Sequence, residues 1–214
     1  MPYTPDSYPR QIPQFKVHGR GKVTVSAKGI ITGDSNIPNN GADFGPDTML
    51  GAITTGQYGP PYTQTVGIAE AFNHIQNTGG HVMFSPDIFY IHDGITFLFD
   101  SAVKISGTSW GVGGGASNNI ITNMGTVIAP ASDFPASTYL ITFGNITTNY
   151  GSLELEDMTF FGSLSMTSPT PYAIGITTGG GASGVAGQTF KNLSFLDCQT
   201  GLDAGESGGS NEWY

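Results

Sequence analysis

Glu154, Glu156, Asp157 and Asp197, with Lys104 and Lys191, are the residues of this 214-residue chain whose types and spacing best suit acid–base chemistry. Hydrolysis of a glycosidic bond needs two carboxyl groups across the sugar, about 5–5.5 Å apart for a nucleophile or about 6.5–9.5 Å apart to admit a water. On an extended strand Glu154 and Glu156 project from one face and Leu155 from the other, so the two form a pair by alternation alone. Proton abstraction next to a carboxylate needs a base such as Lys or Arg with a lowered pKa. Beyond residue 28 the chain offers Lys104 and Lys191 and no Arg. The plainer reading of the carboxylates is a solvated outer face, with Glu156 and Lys191 as an ion pair between neighbouring strands. Tyr90, Trp110, Tyr139, Tyr150 and Tyr172 are the rings that could stack on sugars, against the plainer reading of core or loop packing. His74 reads as a helix-surface residue. Cys198 is the one cysteine, which excludes an intrachain disulfide and a cysteine-based metal site and suits a small buried hydrophobe. The runs at Gly113 and Gly179 lack the Gly-Lys-Ser/Thr of a phosphate-binding loop and read as plain loops.

The scaffold that must carry these groups is legible in the composition. Charged residues make up 11% of the chain and 32 residues are Gly, poor material for a helical bundle and good material for short strands joined by tight turns. Phe, Ile, Val and Tyr recur throughout, so disorder is the weaker reading. The net charge is −9, and five of the seven cations (Arg10, Lys16, Arg20, Lys22 and Lys28) lie in the first 28 residues. A nucleic-acid groove needs clustered cations, so nucleic acid is not expected as a partner. No run of about eighteen apolar residues exists, so no membrane span is expected. The opening residues, from Met1 to Asp6, lack the basic and apolar segments of a secretory signal.

Along the chain, Pro2, Pro5, Pro9 and Pro13 point to an extended arm, which reads equally as a floppy tail or as a segment docking on a partner or sister subunit. Residues 15–31 alternate about Gly19-Arg20-Gly21 and read as a hairpin. Residues 1–40 thus form an arm plus hairpin, and 41–214 the body. Within the body, Ile68, Ala71, Phe72 and Ile75 mark one apolar face of a helix over 65–77, with Thr63 or Thr65 as its cap and Gly79-Gly80 as its stop. Four short strands follow, over 81–86, 88–92, 95–99 and 102–107. No second helix lies among them, which argues against a doubly wound sheet. Further on, residues 155–162 can be laid on residues 190–197. At this offset of 35 residues Leu155, Met158 and Phe160 fall on Phe190, Leu193 and Phe195, and Asp157 falls on Asn192. Such a repeat is what stacked turns of chain require, because each buries its inner face on the next.

The segment from Ile68 to Ile91, a helix ending in Gly-Gly, a strand with Pro and an aromatic-rich strand, continued by Ala102 to Thr108, resembles the opening of pectate-lyase superfamily proteins. Ala42-Asp43-Phe44-Gly45 matches in part the Asp-Phe-Gly that precedes the helix there, although Met49 to Pro61 is a long insert. The resemblance implies an all-β fold: a right-handed parallel β-helix whose N-terminal end is capped by the helix, continuing past residue 214. It also implies polysaccharides as the substrate class, and Ca²⁺ on carboxylates if the protein is a lyase. The same architecture occurs in viral spikes. With so poor a catalytic inventory, the expected function is a structural or receptor-binding protein of an extracellular or virion surface assembly. It would contact glycans and associate with sister subunits, as in a trimer, or with other assembly proteins through its arm. The alternatives are a lyase or hydrolase of an acidic polysaccharide using Glu154, Glu156, Asp157, Asp197 or Lys191, with Trp110, Tyr139, Tyr150 and Tyr172 on the sugar, and a plain carbohydrate-binding module.

Overall fold

The computed structural model describes residues 21–28, 42–50, 61–108, 125–135, 138–144, 151–162, 172–176 and 188–203. Its elements run β1 (Lys22–Val25), α1 (Ile68–Ile75), β2 (Gly80–Phe84), β3 (Ile88–Ile91), β4 (Ile95–Leu98), β5 (Val103–Ser106), β6 (Val127–Pro130), β7 (Tyr139–Gly144), β8 (Leu153–Phe161), β9 (Tyr172–Ile176), β10 (Thr189–Leu196) and β11 (Leu202–Asp203). The fold is all-β apart from α1. Every strand pair among the described residues is parallel, and α1 is the one helix among them. None of these elements is a helix long and apolar enough to cross a membrane. The four strands expected after the helix are β2 to β5.

The pairings fall into three ladders. β1, β2, β5, the first half of β8 and β10 form one. β3, β6 and the second halves of β8 and β10 form another. β4, β7, β9 and β11 form a separate four-stranded sheet. The first two ladders join in one curled sheet because β8 bends at Asp157, which has φ 59°. Asn192, its register neighbour on β10, has φ 50°. A left-handed residue inside a strand resets the alternation of faces. That is why Leu153 and Leu155 point inward, and then Met158 and Phe160, with Asp157 as the corner between. Asp and Asn tolerate this conformation better than other side chains. The corners are tied together, since Asn192 Nδ2 donates to Asp157 Oδ1 at 2.9 Å. Gly107 lies against this corner, and a Cβ there would stand 2.1 Å from the Asp157 carbonyl oxygen.

The 35-residue repeat is the register of β8 on β10. Leu155 pairs with Phe190, Met158 with Leu193 and Phe160 with Phe195. The rings of Phe160 and Phe195 stack at 5.6 Å and 18°. The interior is rich in such rings. Phe72 of α1 stacks on Phe97 of β4 at 4.6 Å, meets Phe84 of β2 edge-on and touches Phe143 of β7. All four residues of the expected helical face are buried. The start of α1 differs from expectation. Gly67, at φ 80°, is the capping residue, because its Cα backs on Gly45 so closely that a Cβ would lie 2.5 Å from the Gly45 nitrogen. Thr65 Oγ1 accepts from the Ala69 amide at 3.2 Å. The hydroxyls of Thr63 and Thr65 donate to the carboxylate of Glu70, which is itself buried. Gly79, at φ 68°, ends the helix as expected, its amide donating to the Ile75 carbonyl.

β1 joins β2 in parallel, with Lys22 opposite His81, and Val23 and Val25 are core residues. The other arm of the expected hairpin, like the Pro-rich arm, lies outside the described residues. The Asp-Phe-Gly segment lines the outer edge of β1: Phe44 bridges to Val25, and Asp43 Oδ2 accepts from both the amide and the hydroxyl of Thr24.

The corner makes a backbone test. Replacing Asn192 by Ala imposes the left-handed penalty of about 1–2 kcal/mol and removes the bond to Asp157. Replacing it by Gly removes only the bond. Urea unfolding should show Asn192→Ala destabilised more than Asn192→Gly, whereas equal losses would mean that the left-handed corner is not formed.

Candidate functional site

The outward side chains of the first ladder gather the charged residues. In one row Lys22, His81, Lys104, Glu154 and Thr189 succeed one another in register across β1, β2, β5, β8 and β10. In the next row stand Thr24, Met83, Ser106, Glu156 and Lys191. Parallel rungs are about 4.8 Å apart, so charges in one row feel each other directly. Opposite charges duly meet. Lys104 Nζ lies 2.5 Å from Glu156 Oε1 and 3.3 Å from Glu154 Oε1. Lys191 Nζ lies 2.8 Å from Glu154 Oε1. Glu156 faces Lys191 in register, yet it is Glu154 that takes the lysine.

This geometry joins four of the six acid–base candidates. Glu154, Glu156 and Lys191 meet around Lys104, whereas Asp157 turns to Asn192 at the corner. Asp197 stands exposed at the far end of β10, with φ 50°. The aromatic candidates do not converge on the cluster. Tyr139 belongs to the other sheet, where it faces Tyr172 in register and its hydroxyl donates to Asp203. Tyr90 is exposed on β3, and Trp110 and Tyr150 lie outside the described residues. Beside the cluster is a recess of about 260 Å³ with Gly80, Ala102, Lys104, Ser152, Glu154 and Thr189 among its lining residues. It is slightly below the usual range of about 300–1,000 Å³ for ligand pockets.

The electrostatics suit neither proton-transfer role. The hydrogen bond from Lys191, and then that from Lys104, holds the Glu154 carboxyl below its ordinary value, while a general acid needs the opposite shift. The hydrogen bonds to Glu156 and Glu154 hold the Lys104 ammonium above its ordinary value, while a lyase base needs it lowered. The Lys104 ammonium also occupies the place between the two carboxylates that a Ca²⁺ would need. Among the described residues no group of three His, Cys, Asp or Glu side chains is placed to hold a metal. Cys198 is half-buried beneath backbone carbonyls, and burial pushes its thiol up to about 12, which leaves it inert.

His81 was not legible as part of this face, because its neighbours are brought to it from β1, β5 and β8. Its Nε2 lies 2.7 Å from Ser106 Oγ. Burial first, and then Lys104 and Lys22, hold the imidazole below 6.5, with Glu156 and Glu154 opposing them. Comparison with protein-family models, curated proteins and solved structures returned no match.

The shifts fix how stability depends on pH. The unfolded chain takes up a proton at His81 before the folded chain does, so stability falls as pH drops below about 6.5 and levels off below the folded value. Glu154, held low when folded, contributes stability above about 4.5 that is lost as pH falls through its folded value. The melting temperature should therefore decline in two acid steps, and His81→Gln should remove the upper one. An upper step unchanged in that variant would assign it elsewhere.

Proposed function

We propose that the chain is a right-handed parallel β-helix of the pectate-lyase type, serving as a stiff post in an extracellular or virion surface assembly and contacting glycans along its outer face. The observation that carries this reading is the return of the chain to three parallel ladders in a fixed order. β2, β3 and β4 are followed by β5, β6 and β7, then by the two halves of β8 and by β9, then by the two halves of β10 and by β11. Each such turn of chain would be one coil, with α1 closing the interior at the first. A stack of this kind places every backbone group of its inner strands in a ladder, which favours a rigid and protease-resistant rod.

A post favours this function over catalysis because its charged cluster is neutralised in place. The carboxylates of the first ladder act as cross-strand partners for lysines, and the lowered Glu154 carboxyl and raised Lys104 ammonium oppose acid–base work. Glycan contact would fall to the exposed polar rows and the recess beside Glu154. Sister subunits would associate as they do in most surface posts, which are symmetric homo-oligomers.

Sedimentation equilibrium on the full 214-residue chain should give a homo-oligomer, and a strict monomer at micromolar concentration would count against the post. Incubation with a panel of acidic glycans should release neither reducing ends nor unsaturated uronate. Release that vanishes in Glu156→Gln and Asp157→Asn would replace this reading with an enzyme.

A further inference from the structure

The first row of the outer face carries an asymmetry that the ion pairs do not use. Its first three rungs are Lys22, His81 and Lys104, with no carboxylate in register among them. The carboxylate of the row, Glu154, comes only on the fourth rung. Three of the four described lysines lie on this face, in a chain of net charge −9. Counting Lys22, Lys104 and Lys191 against Glu154, Glu156 and Asp43, which accepts from the outward Thr24 hydroxyl, the face is balanced while the molecule is strongly negative. Lys104 and Lys191 are engaged by the glutamates, but Lys22 makes no ion pair with the described residues.

We infer that Lys22 and His81, backed by Lys104, form a binding site for a divalent oxyanion, a sulfate or phosphate ester group, on the outer face of β1, β2 and β5. Lys22 and His81 stand on neighbouring rungs about 4.8 Å apart, a spacing that one tetrahedral anion can bridge. A lysine ammonium recognises such a group as a point charge, and the adjoining imidazolium adds a charge-assisted hydrogen bond. Ser106 steers the ring, because its hydroxyl occupies Nε2 and leaves Nδ1 as the second nitrogen for a ligand.

The site is gated by pH. At neutral pH the imidazole is uncharged between two lysines, and the groups facing it are Lys22 from β1, Lys104 from β5, and Glu154 and Glu156 from β8. An anion seated on the row cancels the repulsion of the lysines and lets the ring take its proton. Binding and protonation are therefore reciprocal: acid strengthens the anion, and the anion raises the protonation midpoint. This inference stands apart from the glycan reading, since it needs only the charged row and a free anion.

The test is an NMR titration of the His81 imidazole in the full chain, in sodium sulfate and in sodium chloride of equal ionic strength. Sulfate should raise the His81 midpoint by about half a pH unit, a roughly threefold preference for the protonated protein. The imidazole of His92, which is exposed and bonded to Asp133, should not move. Lys22→Gln should abolish the difference. Equal midpoints in the two salts, equal shifts at His81 and His92, or a shift that survives Lys22→Gln would each overturn the site. A second arm tells a free ion from an ester on a polymer. Dextran sulfate should bind more tightly at pH 5.5 than at pH 7.5, and His81→Gln should remove that difference. Sulfate shifting His81 while dextran sulfate fails to bind would restrict the site to the free ion.

Discussion

Interior side chains in this protein are buried by the passes of chain on either side of them, and that dependence governs the rest of the structure. A single pass of three short strands encloses too little volume to form a core. Leu155, Met158 and Phe160 are buried because Phe190, Leu193 and Phe195 lie in register beside them, and the same holds for Ile105 beneath Leu155 and Val82 beneath Ile105. At roughly 1.5–3 kcal/mol for each large apolar side chain fully buried, a slip of register by one residue would forfeit several such contributions together. The left-handed corners at Asp157 and Asn192 keep the inward set inward through the bend.

The charged face follows from the same stacking. Any residue facing outward on one strand has a neighbour on the next rung, so like charges cannot be repeated along a row without cost. Lys104 opposite Glu154 and Lys191 beside it satisfy that constraint, and in doing so they pull the carboxyl and ammonium values apart in the stabilising direction. Lys22 beside His81 does not satisfy it. Lys22, which makes no ion pair with the described residues, is where an anion contributes most, while the neutralised part of the face is free to serve as wall.

Local features of this architecture were legible in the sequence. The apolar face of α1, the strands from β2 to β5 and the 35-residue repeat rest on contacts between residues close in the chain or on a repeated pattern. The pairings that define the ladders were not, except where that repeat exposed one. Lys104 reaches Glu154 across 50 residues, and Asn192 reaches Asp157 across 35. Separations so unequal erase any single period. β6, β7 and β9 went unrecognised for this reason, since Ile88 pairs with Val127, Ile95 with Ile141 and Ile141 with Ile174, at three different separations. The site was half legible: alternation put Glu154 and Glu156 on one face, but only the register brings Lys104 between them and sets His81 beside Ser106. The buried Glu70 was hidden because Thr63 and Thr65 read as simple caps, whereas their hydroxyls also donate to its carboxylate.

The register of β10 on β8 is the measurement that reaches the centre of this account. Nuclear Overhauser contacts should link the ring of Phe160 to that of Phe195, whose centroids lie 5.6 Å apart, and the side chain of Met158 to that of Leu193, with the sequential order of a parallel pair. Contacts displaced by one residue, running in the antiparallel order, or joining residues 189–196 to any strand other than 153–161 would contradict it.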